Sequence, residues 1–131
     1  MIPKFRVWDK VDKKIKQVYS MDFDKNGEVE SVKIDYTKPD ETYAMFYVEE
    51  FKLMQSTGLR DINGTEIYEG DIVRYNRGIS WSVEKFPYVV KNSMEGFVFE
   101  YGLIQHSLSK KIEYVTVIGN IYENPELLED N

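Results

Sequence analysis

The chain has 131 residues, 42% hydrophobic and 31% charged, with a formal net charge of −6. That length fits one domain or two small ones sharing a core, and an aromatic content of 15% favours the half-buried faces of pleated sheet. The absence of cysteine excludes disulfides, thiolate nucleophiles and Cys-based metal sites, and the acidic average disfavours sequence-independent nucleic-acid binding.

The charge is unevenly spread. Residues 1–20 carry six Lys/Arg against two Asp, 21–57 four Lys against nine acids, and 58–131 seven basic residues against twelve acids. The opening MIPKFRVWDK lacks the apolar run of a signal peptide, and no stretch approaches the roughly 20 apolar residues of a bilayer span. The expected location is the cytoplasm.

In chain order, Phe5 and Val7 alternate with Arg6, residues 9–13 suit a turn, and Ile15, Gln17 and Tyr19 share one face of the next run. This predicts an N-terminal hairpin. Asn26-Gly27 predicts a second one, since a type I′ turn needs positive φ at both central residues, and Val32, Ile34 and Tyr36 alternate along the returning strand. Residues 37–42 form a loop around Pro39. Ala44, Met45, Val48 and Phe51 have mixed helical spacing, which predicts a short helix over 43–54, with strand an alternative for 44–48.

From Gly58 onward turn residues crowd together and the apolar runs are short. Strands are predicted from Ile72-Val73, over 83–90 with a break at Pro87, over 97–101 with Phe97, Phe99 and Tyr101 on one face, and over 112–118 with Val115 and Val117 paired. Residues 102–111 (GLIQHSLSKK) read as loop and the last residues as a turn. Short strands at this spacing suggest a small barrel. The expected fold is therefore mainly β (α+β): a small N-terminal α+β part with hairpins, 1–57, followed by a C-terminal barrel, 58–131.

Four constellations could carry chemistry. Asp22-x-Asp24-x-Asn26-Gly27 matches the first half of a calcium-binding EF-hand loop, yet position 12 is Lys33 where a bidentate carboxylate is needed, and the flanks alternate like strands. Asp61, Glu66, Glu69 and Asp71 crowd a second Asn-Gly turn, but Asp, Asn and Gly there suit corners, because their side chains and left-handed backbone make turns. His106, the sole histidine, lies in a polar stretch with no triad partner and reads as a surface residue. Arg74, Tyr75, Arg77 and Trp81 form a basic-aromatic cluster, the residue types that contact protein partners or stack on single-stranded nucleic acid. No catalytic residue, metal site or cofactor is expected.

The run LMQSTGLRDINGTEIYEGDIVRY, followed by VIGNIYENPELLE and preceded by PKFRVWDK at the start, resembles the YopX-like family of small bacteriophage and prophage proteins. The resemblance covers nearly the whole chain and is weakest over 22–48 and 76–111. It implies a β-rich protein with an N-terminal α+β part and a C-terminal SH3-like β-barrel, in which 57–71 enters the barrel, Val115 to Ile121 would close it and Gly119 eases a bend. It implies no activity and no catalytic residues. The expected function is that of a non-enzymatic phage accessory protein acting through a protein partner or self-association, as a homo-oligomer. The alternatives are nucleic-acid binding through Arg74, Tyr75, Arg77 and Trp81, aided by Lys10, Lys13, Lys14 and Lys16, and metal binding or hydrolysis at the acidic turns.

Overall fold

A computed structural model describes residues 4–35, 43–47, 50–76 and 85–129. Among these residues the chain forms eleven β-strands and a single-turn helix, so the protein is mainly β. No helix of the described residues is long and apolar enough to cross a membrane. The chain divides into two compact units, Met1–Gln55 and Ser56–Asn131.

In the first unit β1 (Phe5–Asp9), β2 (Lys14–Phe23), β3 (Val29–Asp35), β4 (Tyr43–Tyr47) and the start of β5 (Phe51–Arg60) pair antiparallel in the order β4-β3-β2-β1-β5. Alternation explains the core: Val32 and Ile34 of β3 are both buried, with Lys33 only partly so between them. They pack with Val7 and Phe51, and Val18, Met21, Val29 and Leu53 flank them. Two register shifts, at Val18/Ser20 and Asp22/Phe23, accommodate the long strand β2.

The helix expected over 43–54 is not formed. Residues 43–47 are strand β4, with Ala44 opposite Ile34 and Phe46 opposite Val32, and Phe51–Gln55 pair with β1. Both edges of the β1–β3 hairpins offer rows of unmet backbone groups, and filling them outweighs a weak helical periodicity.

In the second unit the end of β5 pairs with β6 (Glu66–Tyr68), through Ser56 opposite Tyr68 and Arg60 opposite Glu66. Strands β7 (Asp71–Tyr75), β8 (Tyr88–Ser93), β9 (Gly96–Tyr101) and β10 (Ile104–Ser107) form a meander. The single-turn helix α1 (Leu108–Lys111) and a 3₁₀ turn over Ile112–Tyr114 then bring β11 (Val115–Asn120) to the free edge of β7. The order is β10-β9-β8-β7-β11. Among the described residues no pairing joins β10 to β11, so the pairings define an open sheet rather than the closed barrel expected. The core holds Ile67, Val73, Tyr75, Tyr88, Val90, Phe99, Leu108 and Val115, with Phe97, Tyr101 and Val117 packed against it.

Two further expectations change. Pro87 does not interrupt a strand; β8 starts one residue after it, where its missing N–H costs no ladder bond. The stretch 102–111 is not loop but β10 plus α1, because Leu108 is fully buried and Ser107 caps the helix by accepting the Lys110 N–H.

Candidate functional site

The carboxylates of the acidic turns accept hydrogen bonds from nearby backbone and hydroxyl groups. In residues 24–28, Asp24 Oδ1 accepts the N–H groups of Asn26 (2.8 Å) and Glu28 (3.0 Å), while Asp22 accepts the Ser31 hydroxyl at 3.1 Å. The two carboxylates serve different partners on strand flanks, which is the arrangement of a hairpin and not of a calcium loop. Asn26 is not in the left-handed region; only Gly27 is, at φ 82°. The turn is therefore a three-residue loop with glycine at its left-handed position instead of type I′.

Asp61 is 6% exposed. Its Oδ1 accepts the N–H groups of Asn63 and Thr65, both at 2.9 Å, and its Oδ2 accepts the N–H of Val117 at 2.9 Å. Glu66 accepts the Ser56 hydroxyl at 2.7 Å, with Arg60 Nη2 at 3.8 Å. Asp71, 1% exposed, accepts the Tyr68 N–H at 2.7 Å. Burial raises the Tyr122 hydroxyl above its ordinary value, and the charge of Glu69 adds to that. No three His, Asp or Glu side chains among the described residues could hold a metal ion.

The basic-aromatic cluster is only partly described. Arg74 is exposed on β7 opposite Thr116. Tyr75 is 3% exposed, with its ring 5.4 Å from Phe99 and 4.8 Å from His106. It is a core residue, sharing the inward face of β7 with Val73. Arg77 and Trp81 lie outside the described residues. His106 is not a surface loop residue: it sits on β10 opposite Phe99, half-buried among the rings of Tyr75, Tyr88 and Phe99.

Two further surfaces stand out, of which sequence reasoning missed the first and named the lysines of the second. The first surrounds the β9–β10 hairpin. Leu103 is fully exposed, and Phe86, Ile104 and Leu128 are about two-fifths exposed. A groove of about 220 Å³ is lined by Pro87, Val89, Tyr101, Gly102 and Leu128, with Lys91 and Glu100. Phe86 stacks flat on Tyr101 with centroids 4.7 Å apart. Lys91 Nζ meets Glu100 Oε1 at 2.7 Å, and this bond, with a second from Gln105, holds the Glu100 carboxyl below the usual range. The available signal was Leu103-Ile104 directly after Gly102, an apolar pair at a hairpin corner.

The second surface is the β1–β2 turn. Asp9, 1% exposed, accepts the N–H groups of Val11 (2.9 Å) and Asp12 (3.3 Å) and the Lys16 ammonium (2.8 Å). Burial pushes the Asp9 carboxyl up, but Lys16 and the two N–H groups outweigh it and leave it below its ordinary value. Burial likewise pushes Lys16 down, and Asp12 and Asp9 outweigh that and raise it. Lys13 occupies the left-handed region at φ 55°. Lys10, Lys13 and Lys14 are exposed around Val11, itself 70% exposed, and β2 carries the exposed rings of Tyr19 and Phe23.

The profile of the YopX protein family matches residues 4–129. No curated protein sequence matches the chain. Among solved structures, protein EF1440 from Enterococcus faecalis is 31% identical, with a TM-score of 0.75 over 98% of this chain and 99% of that one. Protein yopX from Bacillus subtilis is 23% identical, with a TM-score of 0.66 over 98% of this chain and 97% of the other, a likeness of fold.

Proposed function

The chain belongs to the YopX family, and from that premise we propose that it is a non-enzymatic phage or prophage accessory protein of the bacterial cytoplasm. It works by binding another protein, a second copy of itself included. The apolar surface at the β9–β10 hairpin carries this reading. The second unit exposes Leu103, Ile104, Phe86 and Leu128, and Leu128 lines a groove; exposed apolar groups are the material of contact surfaces on soluble domains. Strand β10 pairs on one side only among the described residues, so it offers backbone groups for strand addition.

The second unit is read here as an SH3-like barrel. A four-strand meander followed by β11, which returns beside β7 after a 3₁₀ turn, supports that reading. A binding role over a catalytic one is supported by the acids of 61–71, which serve backbone N–H groups and a hydroxyl.

The test is the mass of the protein in solution by light scattering, together with capture of host proteins on the tagged chain. The double variant Leu103→Lys/Ile104→Lys is expected to keep its melting temperature and lose the assembly or the captured partner. A monomer at all concentrations that captures nothing overturns the reading.

A further inference from the structure

We infer that the β1–β2 hairpin of the first unit is a contact site for single-stranded nucleic acid, with Lys13 and Lys14 on the phosphates and Tyr19 beneath a base.

Lys13 is the first observation. Every other residue with positive φ among those described is glycine: Gly27, Gly58, Gly64, Gly70, Gly96 and Gly102. Glycine takes that conformation without strain and a side-chain-bearing residue does not. A lysine held there at the end of an exposed turn, directly before β2, carries backbone strain, and strain of this kind gathers at functional sites.

The local charge is the second observation. Lys16 takes both acids of the turn, with Asp9 at 2.8 Å and Asp12 at 2.6 Å. Lys13 and Lys14 have no ion-pair partner among the described residues, and Lys10 is exposed beside them. The turn is thus a cationic point on a chain of net charge −6. The rest of the chain is net acidic, which disfavours a polyanion there on average. Lysine is a compact point charge suited to phosphate oxygens.

The third observation selects the single strand. Strand β2 starts at Lys14 and carries Tyr19, 77% exposed. From Lys13 to Tyr19 is roughly 20 Å of extended chain. An exposed ring at that reach from a cationic tip can stack an unpaired base, which a duplex does not present. One valine and one tyrosine are too little apolar surface to anchor the tip in a bilayer.

Binding of a labelled single strand of about 16 nucleotides, followed by fluorescence anisotropy, tests the site on the full chain. Affinity is expected to fall roughly 7-fold between about 50 and 200 mM salt, the slope for two neutralised phosphates. Lys13→Glu/Lys14→Glu is expected to weaken binding at least about 10-fold at low salt and to flatten that slope. Lys110→Glu/Lys111→Glu, with the same change in net charge elsewhere, leaves binding unchanged. Tyr19→Ala weakens it about 10-fold with the slope preserved. Lys13→Gly separates this proposal from a purely structural role: the melting temperature holds or rises by up to about 4 °C, while affinity falls two- to threefold. No binding at low salt overturns the site. So does equal loss in the two double variants, tighter binding of a duplex of the same sequence, or binding only to vesicles of mixed neutral and anionic lipid.

Discussion

Two turns in the molecule read Asp-x-Asn-Gly-x, at 24–28 and 61–65, and their local wiring is the same. In each the aspartate N–H donates to the carbonyl four residues on (2.8 and 2.9 Å), the glycine N–H returns to the aspartate carbonyl (3.0 and 2.9 Å), and Oδ1 accepts two backbone N–H groups. Glycine φ is 82° in one and 83° in the other. The difference lies in the second carboxylate oxygen. Oδ2 of Asp24 has no partner among the described residues, whereas Oδ2 of Asp61 holds the N–H of Val117, 56 positions away. One turn is a corner; the other is a corner that also clasps the last strand. The same five-residue grammar acquires a tertiary role only through what lies opposite it.

Asp61→Ala tests that contrast with the largest effect. It leaves three N–H groups without their acceptor, one of them on β11, and should cost about 3–5 kcal/mol in urea unfolding. Asp24→Ala, in a turn open to water, should cost only about 0.5–1 kcal/mol. Equal losses would dissolve the distinction.

Next in size is Gly119→Ala. A Cβ at Gly119 would lie 2.5 Å from Asn124 Oδ1, which itself accepts the Asn120 N–H at 3.1 Å. The side chain would have to move and give up that bond, at a cost of about 1–3 kcal/mol. Adding Asn124→Ala should recover part of it in a double-mutant cycle. The glycine expected from sequence to ease a bend is needed for space, at a position where the β11–β7 register also shifts.

Gly27→Ala and Gly64→Ala should each cost about 1 kcal/mol, and equally. An added Cβ meets nothing within 4 Å at either site, so only the left-handed backbone is strained. A matched pair here, beside unmatched aspartates, would place the difference in the carboxylate alone.

Asp9 extends the comparison to a third aspartate turn, whose second oxygen takes Lys16. Its carboxyl sits below the ordinary value, so its contribution to stability is present above about pH 4, the unfolded value, and is lost as pH falls through the folded one. Lys16 sits above its ordinary value, so its contribution is present below about pH 10.4 and is lost as pH rises through the folded one. Urea midpoints measured across the acid range should drop less steeply in Asp9→Asn than in the parent.

Hairpins at 5–19 and 22–35 were legible because alternation and an Asn-Gly pair are local signals, while Tyr36 lies outside the described residues. The exact turn was not, since the preceding aspartate accepts two N–H groups and so moves the positive φ onto glycine alone. Over 43–54 helix was preferred and strand over 44–48 was the alternative; the spacing is ambiguous in isolation, and two waiting sheet edges decide for strand at 43–47 and 51–54. At the candidate site Arg74 was legible as an exposed residue, but Tyr75 follows Val73 at a spacing of two and shares its buried face. The basic character of residues 1–20 was visible as a count. The lysines at 10–16 around the 9–13 turn were legible too; that Lys16 takes both nearby acids was not, because those side-chain contacts follow no linear pattern.

The single histidine of the chain lies 4.8 Å from Tyr75, 5.1 Å from Phe99 and 5.7 Å from Tyr88, measured between ring centroids. Those rings impose magnetic anisotropy on its imidazole protons, so their proton resonances fall away from the random-coil positions and without overlap from any sibling. The molecule thereby carries its own isotope-free gauge of local opening in the second unit, readable while the rest of the chain is still folded.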